Sequence, residues 1–183
     1  AMTHSGIPRV TVKTIAQQDM QALHRIRSMK MKQRTAIINQ TRGLLAEYGI
    51  VIAKTPAALR KAIPELLEDA DNGLSFDFRQ LLDSLYDKMN TMNIRIEALT
   101  RLIERQVRAN PEARRLLEIP GVGPLTASAL LATVGDARQF RNGRQMAAFL
   151  GLVPRQHSSG GKHKLLGIHK RGDSYLRGLL VHG

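Results

Sequence analysis

The chain has 183 residues, 43% of them hydrophobic, and sets 28 Lys and Arg against 15 Asp and Glu for a formal charge of +13; it can build a core, and its surplus of cations suits a polyanionic partner. Zero cysteines exclude disulfides and thiolate metal sites and fit a reducing compartment, while zero tryptophans and 4% aromatics weigh against a reader that stacks on bases. No apolar run approaches the roughly 20 residues that a membrane-spanning helix needs, and no signal-peptide core opens the chain.

Residues 1–13 read as a linker, with Ala1-Met2 as a cloning remnant and Val10-Thr11-Val12 as one short alternating run. From Ile15 to Glu47 the pattern is helical, with apolar residues at Leu23, Ile26, Ile37, Leu44 and Leu45 and Gly49 as the stop. Arg27, Lys30 and Arg34 lie along a basic stripe widened by Arg25, Lys32 and Arg42; this is either a nucleic-acid contact or a solvated helix face. Thr55-Pro56 reads as an N-cap and first helical residue opening a helix to about Ile63, and PELLEDADNG (64–73) reads as an acidic, helix-breaking hinge.

Phe78, Leu82, Leu85, Met89, Met92, Ile96, Leu99 and Ile103 alternate spacings of four and three, which predicts a long helix with one coiled-coil seam. The seam's partner is the 15–47 helix of the same chain or the same helix of a second copy, giving a homo-oligomer through 78–103; Leu81 and Leu102 widen it enough for both. Asn110-Pro111 restarts the chain, and LLEIPGVGPLTASALLATVGD (116–136) has the form of a helix-hairpin-helix. Glycines at 121 and 123 flanking Val122 free the backbone amides ahead of Thr126 for a phosphate oxygen, and small residues after them permit close helix approach. A short helix follows near 145–150, stopped by Gly151.

Residues 154–172 read as a loop or short hairpin, and Gly172-Asp173 as the cap of a last helix. Between 154 and 183 stand six cations, Arg155, Lys162, Lys164, Lys170, Arg171 and Arg177, against one acid, Asp173. Inside this field lie Ser158-Ser159 and Gly160-Gly161. A serine among cations is either a nucleophile toward phosphorus or part of a phosphate-binding turn. His157, His163 and His169 fit no common metal spacing, and one aspartate cannot hold two catalytic metal ions. No metal site is therefore expected within this chain.

The runs QRTAIINQTRGLLAEYGI (33–50), IPGVGPLTASALLATVGD (119–136) and FRNGRQMAAFLGLVPRQHSSGGKHKLLGIHKRGDSYLRGLL (140–180), in that order, resemble the C-terminal two-thirds of the Piv-like, DEDD-type insertion-sequence transposases, the bridge-RNA-guided serine recombinases. The resemblance implies a mainly α fold of long coiled-coil helices and a small helix-hairpin-helix transposase domain. It divides the chain into a remnant at 1–13, a helical region at 14–110 and a transposase domain at 111–183. It implies Ser159 as the nucleophile, with Ser158 as the alternative, and Mg2+ held by an acidic RuvC-like domain absent from this chain. It further implies double-stranded DNA, a structured guide RNA and further copies of the chain as partners, in the prokaryotic cytoplasm near the nucleoid. The chain is expected to be a fragment, inactive alone. The rival expectations are a non-enzymatic helix-hairpin-helix module that only clamps phosphates and a basic assembly scaffold.

Overall fold

A computed structural model describes residues 12–156, 165–168 and 172–182. Among these residues the chain is mainly α: seven α-helices, one 3-10 turn and one two-stranded antiparallel sheet. No described helix is long and apolar enough to cross a membrane. The chain forms two compact units, His24–Leu102 and Ala1–Leu23 with Ile103–Gly183, so the division falls inside two long helices.

Those helices are α1 (Ile15–Glu47) and α3 (Phe76–Ala109). Thr14 opens α1 by accepting from the Gln17 amide at 3.2 Å, while the Gln17 side chain returns a bond to the Thr14 amide at 2.9 Å; this reciprocal box satisfies two amides that a helix start leaves free. Gly49 closes α1 at φ +78°, with Ile50 N–H donating to Leu45 O and Gly49 N–H to Ala46 O, a left-handed stop that glycine adopts without strain.

Within His24–Leu102, α2 (Pro56–Glu68) lies between the long helices in sequence, and its N-cap is Thr55 as expected. The expected break at 64 does not occur: Pro64 sits inside α2, which runs on to Glu68. Nor is the following link built as a free hinge. Arg79 donates to the carbonyls of Leu66 (2.8 Å), Leu67 (3.0 Å), Asp69 (2.6 Å) and Leu74 (3.2 Å) and to Asn72 Oδ1 (2.7 Å), and Asn72 Nδ2 adds a second bond to Leu66. One guanidinium thus collects the carbonyls that the end of α2 leaves open, where the helix dipole also favours a cation.

The α3 seam is occupied inside the chain. Phe78, Leu82, Met89 and Met92 pack in one cluster with Ile37, Ile38 and Leu45 of α1 and Leu59 and Ile63 of α2. Of the two partners open to the seam, it is α1 of the same chain, together with α2, that covers these residues, while Phe76, Leu81 and Ile94 are the large apolar residues of α3 that remain exposed. The matching face of α1 also alternates three and four, through His24, Arg27, Met31, Arg34, Ile38, Thr41 and Leu45, all buried or half-buried. Arg27 Nε donates to Thr100 Oγ1 at 2.8 Å and Arg34 Nη1 to Asn93 Oδ1 at 3.1 Å. Seven residues forward on α1 answer to seven residues back on α3, as an antiparallel pair requires.

The other unit contains α4 (Pro111–Leu116), α5 (Pro124–Val134), a 3-10 turn (Ala137–Gln139), α6 (Gly143–Phe149), strands β1 (Pro154–Gln156) and β2 (Leu165–Ile168), and α7 (Ser174–His182). Residues 126–130 of α5 are all buried, because α4 and α7 pack against α5 and α1 adds contacts through two glutamines. Gln17 Nε2 and Gln21 Nε2 donate to Leu131 O and Ala132 O at 3.5 and 3.1 Å, at the carbonyl end of α5. Leu130 and Val134 of α5, Leu150, and Leu176 of α7 make one apolar cluster; Ile103, Val107 and Ala113 make another, joined by Met20, Leu23 and Leu125.

Candidate nucleic-acid interface

The turn between α4 and α5 has the geometry that its glycines foreshadow. Gly121 takes φ +83° and is exposed, and Val122 N–H donates to Ile119 O at 3.0 Å to close the turn. Asn110, Asn142 and Asp173 cap α4, α6 and α7 with their side chains, whereas Gly123 gives α5 no side-chain cap. The first amides of α5, at Leu125 and Thr126, are donors that a phosphate oxygen satisfies well. The Thr126 side chain itself belongs to the packed face of α5, with the residue 3% exposed, which leaves its amide as the group for a phosphate.

Strands β1 and β2 pair antiparallel, with Pro154 opposite Ile168 and Gln156 opposite Leu165, and bracket residues 157–164. Ser158, Ser159, Lys162 and Lys164 lie in that segment and Lys170 and Arg171 follow β2; all six are outside the described residues. Arg155 is exposed on β1. Arg177, on α7, is half-buried, and its Nη1 is enclosed without a hydrogen-bond partner. Asp173, the one acid of 154–183, uses Oδ1 to accept from the amides of Tyr175 (2.8 Å) and Leu176 (3.2 Å). Among the described residues no group of three His, Asp or Glu is placed to hold a metal ion.

The family described as Transposase IS116/IS110/IS902 matches residues 113–183, which run from α4 to α7. The chain carries an IS116/IS110/IS902-family transposase domain. Similarity extends beyond the domain. The chain is 47% identical, over its whole length, to 54% of a probable family 20 transposase of Pseudomonas aeruginosa. It is 43% identical, again over its whole length, to 50% of the transposase for insertion sequence element IS1111A of Coxiella burnetii. With 94% of its length it is 38% identical to 51% of the transposase for insertion sequence element IS1328 of Yersinia enterocolitica. The chain therefore spans about half the length of the curated relatives it matches.

The cations divide between the transposase domain and the helices before it. Arg27 and Arg34, expected in a nucleic-acid stripe, are directed at Thr100 and Asn93 of α3 instead. Lys30 donates to Gln33 Oε1 at 3.4 Å, and Arg42 Nη2 reaches Ile52 O at 3.3 Å. Arg25 and Lys32 are the members of that stripe which stay exposed. In the transposase domain Arg114 and Arg115, in the last turn of α4, are exposed near the glycine turn. Sequence reading passed over them. Their signal is a pair of arginines just ahead of the IPGVG turn, one element away from uncapped amides. Arg141 and Arg144, before and within α6, are exposed as well.

A groove of about 790 Å3 lies elsewhere in this unit, with Arg115 and Arg138 on its walls together with Glu112 and Asp136. Its mixed signs set it apart from the uniformly basic 154–172 segment.

Proposed function

We propose that the chain belongs to a site-specific DNA transposase and that residues 113–183 provide the serine side of its active centre. The observation that carries this reading is the family match itself, which spans Ser158-Ser159 and the cations around them. Ser159, or Ser158 beside it, attacks a DNA phosphodiester: a serine Oγ–P bond forms, the P–O bond to one deoxyribose breaks, and the leaving oxygen takes up a proton as the serine loses its own. Attack by a deoxyribose hydroxyl of another strand on the phosphoserine completes the exchange and frees the serine. Arg155, Lys162, Lys164, Lys170, Arg171 and Arg177 are the cations available for the charge on the transferring phosphate.

Mg2+, where it takes part, would polarise the phosphate and the leaving oxygen. The described residues do not fit it, since no acidic cluster is present among them and Asp173 is engaged as a helix cap. Its ligands are assigned to the acidic domain expected outside this chain. Duplex DNA, a structured guide RNA and further copies of the protein are the partners in this reading, because exchanging strands between two sites takes more than one active centre.

A second reading has its own support: the uncapped start of α5 after the glycine turn suits a clamp that holds phosphates and performs no chemistry. The deciding experiment takes a longer transposase containing this domain, with its acidic domain, Mg2+, guide RNA and a suicide DNA substrate, and looks for protein covalently joined to DNA on a denaturing gel. A band abolished by Ser159→Ala and kept in Ser158→Ala is the expected result. Binding without a band in any variant would leave the clamp.

A further inference from the structure

Arg177 stands apart from the other part-buried arginines of the described chain. Arg34 and Arg42 each enclose an unpaired Nε, but the same guanidinium bonds elsewhere, to Asn93 Oδ1 and to Ile52 O. Arg79 has five acceptors. Arg177 encloses Nη1, and its guanidinium has no hydrogen bond or ion pair among the described residues. A guanidinium held partly out of water with an unmet donor is costly to the fold, so a partner is expected to arrive from outside.

The surroundings say what charge that partner carries. Asp173, one turn before Arg177 on α7, is the one carboxylate between residues 154 and 183, and its Oδ1 is committed to two amides at the start of the helix. The position of α7 is fixed as well: Gly172, at φ +108°, lies so close to the backbone of residues 149–151 that a Cβ would come within 3.0 Å of Phe149 O. The helix packs on α5 and buries Leu176 completely, next to Arg177. The backbone of Arg177 is therefore held on a rigid element, while its enclosed Nη1 meets an external acceptor only when the side chain turns outward.

We propose that Arg177 is the anchoring phosphate contact of the transposase domain, its guanidinium taking non-bridging oxygens of one DNA phosphodiester, and that the unmet donor is kept for this purpose at the expense of stability. The identity of the phosphate as DNA rests on the proposed function above; the reservation of Arg177 for a phosphate does not. A planar guanidinium suits the task better than an ammonium, because two parallel N–H bonds fix the orientation of the phosphate.

The test uses the chain itself with inorganic phosphate as the probe, followed by a short DNA duplex. Thermal unfolding is recorded with rising phosphate against sodium chloride of equal ionic strength, for wild type, Arg177→Met, Arg177→Lys and, as a control at an exposed arginine of α2, Arg60→Met. Wild type should gain melting temperature with phosphate, as a ligand that binds the folded state requires. Arg177→Met should melt at the same temperature as wild type or higher without phosphate, by about 2 °C where the unmet donor is fully relieved, and should lose the phosphate response. Arg177→Lys should fold normally with a weakened response, and Arg60→Met should keep the full response. Duplex affinity should fall at least tenfold in Arg177→Met and less in Arg177→Lys.

A lower melting temperature of Arg177→Met in phosphate-free buffer would show the guanidinium to be structural and overturn the proposal. So would a phosphate response that survives the substitution. A response that depends on Arg177, combined with no covalent protein–DNA band in the longer transposase, would sink the nucleophile and leave this site standing.

Discussion

In the unit His24–Leu102, Arg27, Arg34, Arg42 and Arg79 all donate to side chains or carbonyls of their own unit, while in the unit with the transposase domain Arg114, Arg115, Arg141 and Arg155 are exposed and Arg177 is half-buried without a partner. Both regions are rich in arginine, and a helix-by-helix count of charge would rank them together. The first uses these four as fasteners within the protein, with Arg25, Arg60 and Arg95 left exposed beside them. The second leaves the side chains of its five without a hydrogen bond among the described residues. Net charge thus shows that a polyanion is a suitable partner, but only the hydrogen-bond inventory shows which arginines are free to meet it.

The sharpest break of this comparison is Arg79→Met. Five acceptors lose the Arg79 guanidinium at once, of which the Leu66 carbonyl keeps only its bond from Asn72 Nδ2, and the expected loss is about 2–4 kcal/mol of unfolding free energy, since bonds to charged donors are each worth about 1.5–3 kcal/mol and do not add fully. Urea denaturation reads it directly. Unchanged stability would mean that the 64–75 link is a free segment after all, and DNA affinity should not move in either case once folded protein is compared.

Arg34→Met is the intermediate case. The residue occupies the three-and-four seam of α1 and bonds to Asn93 of α3, so a double-mutant cycle with Asn93→Ala should give a coupling of about 0.5–1.5 kcal/mol. Polar residues inside an apolar seam also fix which turn of one helix meets which turn of the other. A cycle that closes at zero, with DNA affinity falling instead, would return Arg34 to the nucleic-acid stripe that its spacing suggests.

Much of the local structure was legible because its causes are local. The limits of α1, the Thr55 cap, the stop at Gly49 and the Asp173 cap each depend on residues within one turn of the feature. The long 3.5-residue repeat of α3 identified a seam, and its partner followed from the companion repeat of α1, which is hard to see because His24, Arg27, Arg34 and Thr41 interrupt the apolar members. The continuation of α2 past Pro64 was illegible for the opposite reason. Its decisive partner, Arg79, lies beyond the loop and acts only after folding has brought it to the end of α2. For the candidate site, the glycine turn and the basic segment were visible, whereas the burial of Thr126 and the unmet donor of Arg177 depend on packing against neighbouring helices.

Arg115→Ala should have the smallest effect on the fold and separates the two uses of arginine most cleanly. The side chain is exposed in the last turn of α4 and makes no hydrogen bond or ion pair among the described residues, so stability should stay within about 0.5 kcal/mol of wild type. If the α4–α5 turn meets a DNA backbone, the same substitution removes one phosphate contact: affinity for duplexes of unrelated sequence should fall together, and the slope of log affinity against log salt should drop by about 0.9. Arg27→Ala, whose guanidinium is engaged by Thr100, should leave that slope where it was. Equal slopes for Arg115→Ala and wild type would move the DNA surface away from the glycine turn, and a reduced slope for Arg27→Ala would show that DNA competes successfully for an arginine already bonded within the helix pair.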